Sequence, residues 1–339
     1  MERVIEYREA VSIISFFMIV QFLGSFLGTG TTNKIVMVKE GGNQIAFDLS
    51  IIIYLVIFTL IFLFLMRRFK GKLLFLAIEG FVITFAGFLF FAFLFSKLLP
   101  NLNASIYLSV SLFLGILCVV LKNKVPRTRN FVAIISSIGV GIALGTSLSF
   151  LTTYLLMLFI AIYDYISVFV TKHMLTLARS AVENNLSFLV GSNTIGVIQK
   201  ARLTKQDEKS RKEFKEAIKK VGNIRLKSNE VPFVSSIQLG TGDLAIPLML
   251  SVSSFYSFLS YEKLYALVAF SVLGIIFTLF VLRKYKVPLP AIPPLFGFMS
   301  IGISIEAHSL IFLIIGLSSL IIFFVSVASI RRKTFSSYS

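Results

Sequence analysis

The chain is short of most residues that soluble enzymes rely on. It has a single cysteine, Cys118, and two histidines, His173 and His308, among 339 residues. A lone Cys inside an apolar run excludes an intrachain disulfide and a cysteine-based metal centre. Two histidines this far apart in sequence exclude a His-Glu-x-x-His zinc site, so neither a metal nor a cofactor is expected. Tryptophan is absent, and only 16 Asp and Glu stand against 33 Lys and Arg. Polar sequence is scarce too, with one sizeable stretch, residues 171–232. There is no small-residue cleavage site after Met1–Ala10, which carries three acids and two Arg ahead of an apolar run, so a retained first helix is expected.

What fills the chain instead is apolar. Hydrophobic residues make up 56% of it, 36 of them Phe, and the mean hydropathy is +0.89. Several apolar runs exceed the length of a buried core helix, which a dissolved globular domain cannot accommodate. The expected fold class is an all-α polytopic membrane protein. A net charge of +17 would suggest nucleic acid if the basic residues formed one face of a soluble fold. Here they lie in the connections between apolar runs and mark topology, so no nucleic-acid partner is expected.

The apolar runs are Val11–Leu27, Leu49–Met66, Leu73–Phe95, Ser105–Leu121, Phe131–Phe150, Leu151–Val170, Ser235–Leu259, Leu264–Leu282, Val287–Ile305 and Leu310–Ile330, ten spans in all. The basic residues fall in alternate connections: all but Lys34, Lys39, Lys97 and Lys263 lie on one side. The positive-inside rule puts that side, with both termini and the long connection, in the cytoplasm of a multi-pass cell-membrane protein. The organisation expected is a five-helix N-terminal bundle (1–150), a sixth helix (151–180), a hydrophilic connection (181–234), a second group of helices (235–305), and a last helix with a basic tail (306–339). Within the connection, 204–220 has the composition of an exposed helix or a linker. Ala181–Ile198 is too broken by Asn and Gly to span, and is expected to lie against the membrane, to gate, or to be a self-cleavage site.

Few acids enter the apolar runs: Glu79, Asp164 and Asp243, with Glu306 at an edge. A carboxylate in hydrocarbon costs at least about 2.5 to 3.5 kcal/mol, so each should face protein or water. Asp164 lies eight residues before Lys172, and Asp243 eight residues after Ser235, where its run begins. At about 1.5 Å per residue, each is expected roughly 12 Å below the cytoplasmic boundary. The two runs are sequential and antiparallel, so the carboxylates should reach the same depth. Glu79 sits near Lys72 and is expected to snorkel or pair. Around Asp243, Gly240 and Gly242 remove side chains, and Pro247 has no N–H for the carbonyl of residue 243.

Two carboxylates sharing a water in a low-dielectric site cannot both ionise easily. One can serve as general base on water and the other as general acid to an amide. Paired intramembrane acids also suit a proton-coupled transporter or channel, and depth and composition weigh the two equally. A third feature favours hydrolysis. Pro288, Pro290, Pro293 and Pro294 open the ninth run with four prolines in seven residues. Non-helical backbone at membrane depth survives only where it is buried in protein or lines a wet cavity. Its carbonyls and few N–H groups could hold an extended substrate backbone, whereas a helix that merely starts late would also place Pro in its first turn.

Tyr163-Asp164, Leu239-Gly240-Thr241-Gly242-Asp243 and Leu289-Pro290-Ala291-Ile292-Pro293 resemble, in order and spacing, the three signatures of the presenilin and signal peptide peptidase family of intramembrane aspartyl proteases. The likeness extends from about Leu151 to Gly297. It implies a presenilin-like bundle of nine to ten transmembrane helices. It also implies an intramembrane aspartic endopeptidase with Asp164 and Asp243 as the catalytic pair. Tyr163, Leu239, Gly240, Thr241 and Gly242 would shape the site, and Leu289, Pro290, Ala291 and Ile292 would contact substrate. Its partners would be membrane proteins or signal peptides with a transmembrane helix, within a lipid bilayer. The family's usual Pro-Ala-Leu is Pro-Ala-Ile here, a volume-conserving change. The run Leu310–Ile330 has no counterpart in the family's usual nine spans. The compact loops suggest a microbial, archaeal-like homologue.

Overall fold

The computed structural model describes residues 2–29, 50, 53–54, 57, 72–101, 103–125, 128–170, 189–199, 230–285 and 289–336. The expected second span (49–66) falls mostly outside the described residues. So do 171–188, 200–229 and 286–288, which hold the expected exposed helix at 204–220 and most of the connection.

The helices are α1 (Glu2–Gly28), α2 (Lys72–Leu98), α3 (Ala104–Lys124), α4 (Arg129–Ser147), α5 (Phe150–Tyr165), α6 (Thr241–Phe258), α7 (Tyr261–Tyr285), α8 (Ile292–Ala307) and α9 (Leu310–Ser336). Two strands, β1 (Leu189–Gln199) and β2 (Glu230–Gly240), pair with each other. Seven of the described helices are long and apolar enough to cross a membrane, the last being Leu310–Ala328. The helices that follow β2 and residue 290, α6 with 18 residues and α8 with 16, are shorter.

The sequence accounts for many of the boundaries. The side chain of Asn103 accepts the N–H of Ser105 and opens α3; Ser149 does the same for α5 through the N–H of Thr152. Both follow the preference of short polar residues for the N-cap, where orphan N–H groups need an acceptor. Leu259 and His308 end α6 and α8 in the left-handed conformation, at φ 51° and 49°. Each returns its N–H to the preceding turn.

Two compact units divide the chain. One consists of residues 1–15 and 191–238, and contains the start of α1 and most of the two-stranded sheet. The other consists of residues 16–190 and 239–339 and contains the helical bundle. In the bundle, α4 packs against α2 and α6, α2 against α3, and α5 against α6 and α8, while α8 also packs on α7 and α9. Small residues permit the close crossings, as is usual where helices meet without water between them. A Cβ added at Gly139 of α4 would collide with the carbonyl oxygen of Ala86 in α2, and one at Gly145 would stand 2.7 Å from that of Met249 in α6. Apart from these contacts, Glu79 of α2 forms a buried ion pair with Lys122 of α3. Pairing is how an acid persists inside an apolar bundle.

Two local expectations change. The apolar run from Ser235 was expected to be helical throughout, but residues 235–240 belong to β2 and the helix starts at Thr241. Val231, Val234 and Ile237 favour extended backbone, and Gly240 and Gly242 weaken a helix across the junction. Asp243 is therefore the third residue of its helix, and helical rise from Ser235 does not give its depth. Residues 189–198 likewise are strand, and they add a small sheet to a fold expected to be entirely helical.

Candidate active site

The bundle gathers the two acids from α5 and α6 and the proline-rich turn before α8. Asp164 lies one residue from the end of α5, after which the backbone widens into a π-helical turn at Ile166–Val170. Its side chain is buried, with 8% exposed. The carboxylate accepts the backbone N–H of Ile292 at 3.4 Å, and the backbone of Ala291 also hydrogen-bonds to it. Those donors are available because residues 289–291 are not helical and Ile292 is the first residue of α8, where N–H groups have no helical partner. The alternative of a helix that starts late also holds in part: Pro293 and Pro294 occupy the first turn of α8. In this structure the stretch turns its scarce N–H groups onto Asp164.

Asp243 takes up the position where a helix best tolerates an acid, in the first turn beside the positive end of the dipole. Its Oδ2 accepts the N–H of Gly240 at 3.2 Å. A Cβ on Gly240 would stand 3.1 Å from that same oxygen, so a residue without a side chain is what lets the carboxylate fold back. At Gly242 a Cβ would meet only Ile246, at 4.0 Å. The side chain of Asp243 is partly buried, and its carboxylate lies within electrostatic reach of Asp164.

Pro247 deprives the carbonyl of Asp243 of its helical donor. The same turn is held from outside by two side chains. Gln21 of α1 donates its Nε2 to the carbonyl of Leu244 at 3.0 Å, and the hydroxyl of Ser137 in α4 is shared between the carbonyl of Ala133 in its own helix, at 2.8 Å, and that of Thr241, at 3.1 Å. Both side chains are buried. Deeper in the bundle, the hydroxyls of Thr153 and Ser253 join α5 to α6, and those of Tyr154 and Ser300 join α5 to α8. Buried hydroxyl pairs of this kind satisfy one another and fix helix register.

The remaining residues expected at the site are placed unevenly. Leu239, Ala291 and Ile292 are buried, as is Pro290, while Thr241 is half-buried and Gly242 exposed. Leu289 packs against the cluster of Val281, Phe323 and Val327. Tyr163 does not join the acids; its side chain is 56% exposed. Consecutive residues on a helix point about 100° apart, so burying Asp164 turns its neighbour outward. Among the described residues, no group of three or more His, Cys, Asp or Glu could hold a metal ion. A cavity of about 180 Å³, lined by Phe150, Ser254, Phe258, Leu267 and Glu306 among others, lies at the opposite end of α5 from Asp164.

Sequence reasoning passed over Gln21 and Ser137. Gln21 carried a signal, being an amide in an otherwise apolar run; nothing distinguished Ser137 from other serines in spanning helices.

Comparison with known proteins gives consistent results. The family described as signal-peptide peptidase, presenilin aspartyl protease matches residues 14–307. Two crystal forms of a presenilin family intramembrane aspartate protease superpose on the chain. In the C222 form the TM-score is 0.54 at 21% identity, over 87% of this chain and 95% of the other. In the P2 form it is 0.54 at 24% identity, over 88% and 96%. Curated proteins include no significant match to the chain.

Proposed function

Because the chain belongs to the signal peptide peptidase and presenilin family of aspartyl proteases, we propose that Asp164 and Asp243 are the carboxylates with which it hydrolyses peptide bonds inside the membrane. The observation that carries this assignment is the convergence of the two acids from α5 and α6, each tethered by backbone N–H groups and each within the other's electrostatic reach. Two like charges so placed favour a state with one shared proton. The ionised partner takes a proton from water as the water oxygen adds to the scissile carbonyl carbon. The protonated partner then gives its proton to the amide nitrogen as the C–N bond breaks, and the pair is left with one proton, as it began. Either Asp can fill either role.

A transmembrane helix has its carbonyls engaged in its own hydrogen bonds, so the substrate must unwind locally before water can reach one. The substrates are transmembrane segments of membrane proteins or signal peptides. The distribution of basic residues places the N-terminus and the 171–232 connection in the cytoplasm. Leu239, Thr241, Gly242 and the Leu289–Ile292 stretch, which adjoin the two acids, receive the unwound strand in this reading, whereas the side chain of Tyr163 is exposed.

The deciding experiment is cleavage of a single-span reporter by the purified protein in liposomes, comparing wild type with Asp164→Asn and Asp243→Asn. Both substitutions keep the shape of the side chain and remove the titratable group. Each is expected to abolish cleavage while the protein still folds. Measurable turnover in either variant removes that residue from the pair.

A further inference from the structure

Helix α9 begins at Leu310, beyond residue 307 where the family match ends. Much of its surface is exposed and apolar, as at Leu310, Ile311, Ile314 and Ile321, which suits a helix facing lipid. One stripe is different. Ser319, Phe323 and Ser326 recur at spacings of four and three, which aligns them on a single face. The Ser319 hydroxyl donates to the carbonyl of Pro293 at 3.0 Å. Phe323 is fully buried and, with Val281 and Val327, forms the cluster on which Leu289 packs. The hydroxyl of Ser326 meets that of Tyr165, and Ser326 also donates to the carbonyl of Ile322 at 2.8 Å, so Tyr165 is the donor between them.

These contacts converge on the supports of one acid. Pro293 follows Ile292, whose N–H holds the Asp164 carboxylate, and Leu289 begins the same non-helical turn. Tyr165 follows Asp164 directly, where the α-helix gives way to the π-helical turn. Phe169, in that turn, meets Tyr165 edge-on and Phe323 at a tilt. The close crossing that brings α9 there is made by small residues: a Cβ on Gly316 would stand 2.8 Å from the carbonyl oxygen of Gly297. We infer that α9 is a built-in clamp on the catalytic centre, in which Ser319 and Ser326 are positioning residues that fix the two backbone segments on either side of Asp164. This inference rests on Asp164 being catalytic. Ser319 and Ser326 act through Pro293 and Tyr165.

The test is steady-state kinetics of the full chain on a membrane-embedded reporter, with Ser319→Ala, Ser326→Ala, the double alanine variant, the corresponding Thr variants, and Asp164→Asn. Losing one neutral hydrogen bond that bears on transition-state geometry is expected to lower kcat about fivefold per site. KM and the thermal unfolding midpoint should stay near the wild-type values. Thr keeps the hydroxyl, so the Thr variants should recover most of kcat. A wild-type kcat in the double alanine variant overturns the inference, as does equal loss in the Thr and Ala variants or a change confined to the unfolding midpoint. An inert Asp164→Asn protein beside a fully active double variant would sink the clamp alone. Activity in Asp164→Asn would sink the catalytic assignment beneath it.

Discussion

Replacing Gly240 by Ala tests whether the geometry around Asp243 governs turnover. The backbone there has φ −66° and ψ 144°, which any L-residue adopts, so the substitution introduces no conformational strain. Its effect is local. The new methyl would stand 3.1 Å from Oδ2 and 3.5 Å from Cγ of Asp243. The contact with Oδ2 is tighter than ordinary van der Waals separation, so the carboxylate must swing out by a few tenths of an ångström. The 3.2 Å hydrogen bond from the Gly240 N–H is then stretched or lost.

A hydrogen bond to a charged group contributes about 1.5 to 3 kcal/mol. At about 1.4 kcal/mol per factor of ten, removing it from the transition state lowers kcat about 10- to 150-fold. The assay is initial-rate cleavage of a single-span reporter across a range of substrate mole fractions in detergent, with thermal unfolding followed in parallel. The companion variant Gly242→Ala places its methyl against nothing nearer than Ile246, so kcat there should be unchanged. A rise in KM for Gly242→Ala would mean that the substrate strand passes over this residue. Turnover of Gly240→Ala within twofold of wild type, or a loss confined to KM, would refute the reasoning.

Other expectations follow from the same contacts. Glu79→Ala leaves the Lys122 ammonium buried without its counter-charge, a change that costs about 3 to 5 kcal/mol; calorimetry should find Glu79→Met/Lys122→Met closer to wild type than either single variant. Gln21→Leu and Ser137→Ala each remove a hydrogen bond of about 1 kcal/mol from the first turn of α6. Reporter kinetics should show kcat a few-fold lower in each, and unaltered kcat in both would mean that the turn holds its shape without them. Gly139→Ala forces a methyl onto the carbonyl of Ala86, and overpacking of this kind costs about 1 to 3 kcal/mol. It should lower the unfolding midpoint well beyond any change from Gly80→Ala, whose Cβ would meet only Val119 at 3.7 Å.

The acids were legible because an ionisable group in an apolar run has so few explanations. Asp164 and Asp243 stood out, and Glu79 could be set aside by its position near basic residues. Composition could not separate hydrolysis from proton transport. The three motifs together, and then the family match, decide for the protease. The register was less legible. Counting 1.5 Å per residue from Ser235 presumed a helix where β-branched residues and two glycines make a strand-to-helix junction. Tyr163 was named from the resemblance, as half of a Tyr-Asp signature; neighbours on a helix point in different directions, and its side chain is exposed where that of Asp164 is buried. Ser137, Ser319 and Ser326 carried no signal, because a serine that bonds a group on another helix is indistinguishable in sequence from one that bonds only its own preceding turn.

Each part of the site coincides with an interruption in a helix. Asp243 sits where a strand becomes α6 and where Pro247 withholds a donor; Asp164 precedes a π-helical turn; residues 289–291 are non-helical ahead of α8. A continuous helix consumes its N–H groups internally and has none to offer a carboxylate. At these interruptions the N–H of Gly240 is free to hold Asp243, and the backbone of Ile292 and Ala291 is free to hold Asp164. Broken backbone in an apolar setting must be supported from outside, and the support comes from Gln21, Ser137 and Ser319, each donating to a carbonyl within a residue or two of a break. The polar residues that do this are therefore spread over α1, α4 and α9 and are not clustered in the motifs. The motifs supply the acids and the interruptions; the rest of the bundle supplies the hydrogen bonds that keep those interruptions in one shape.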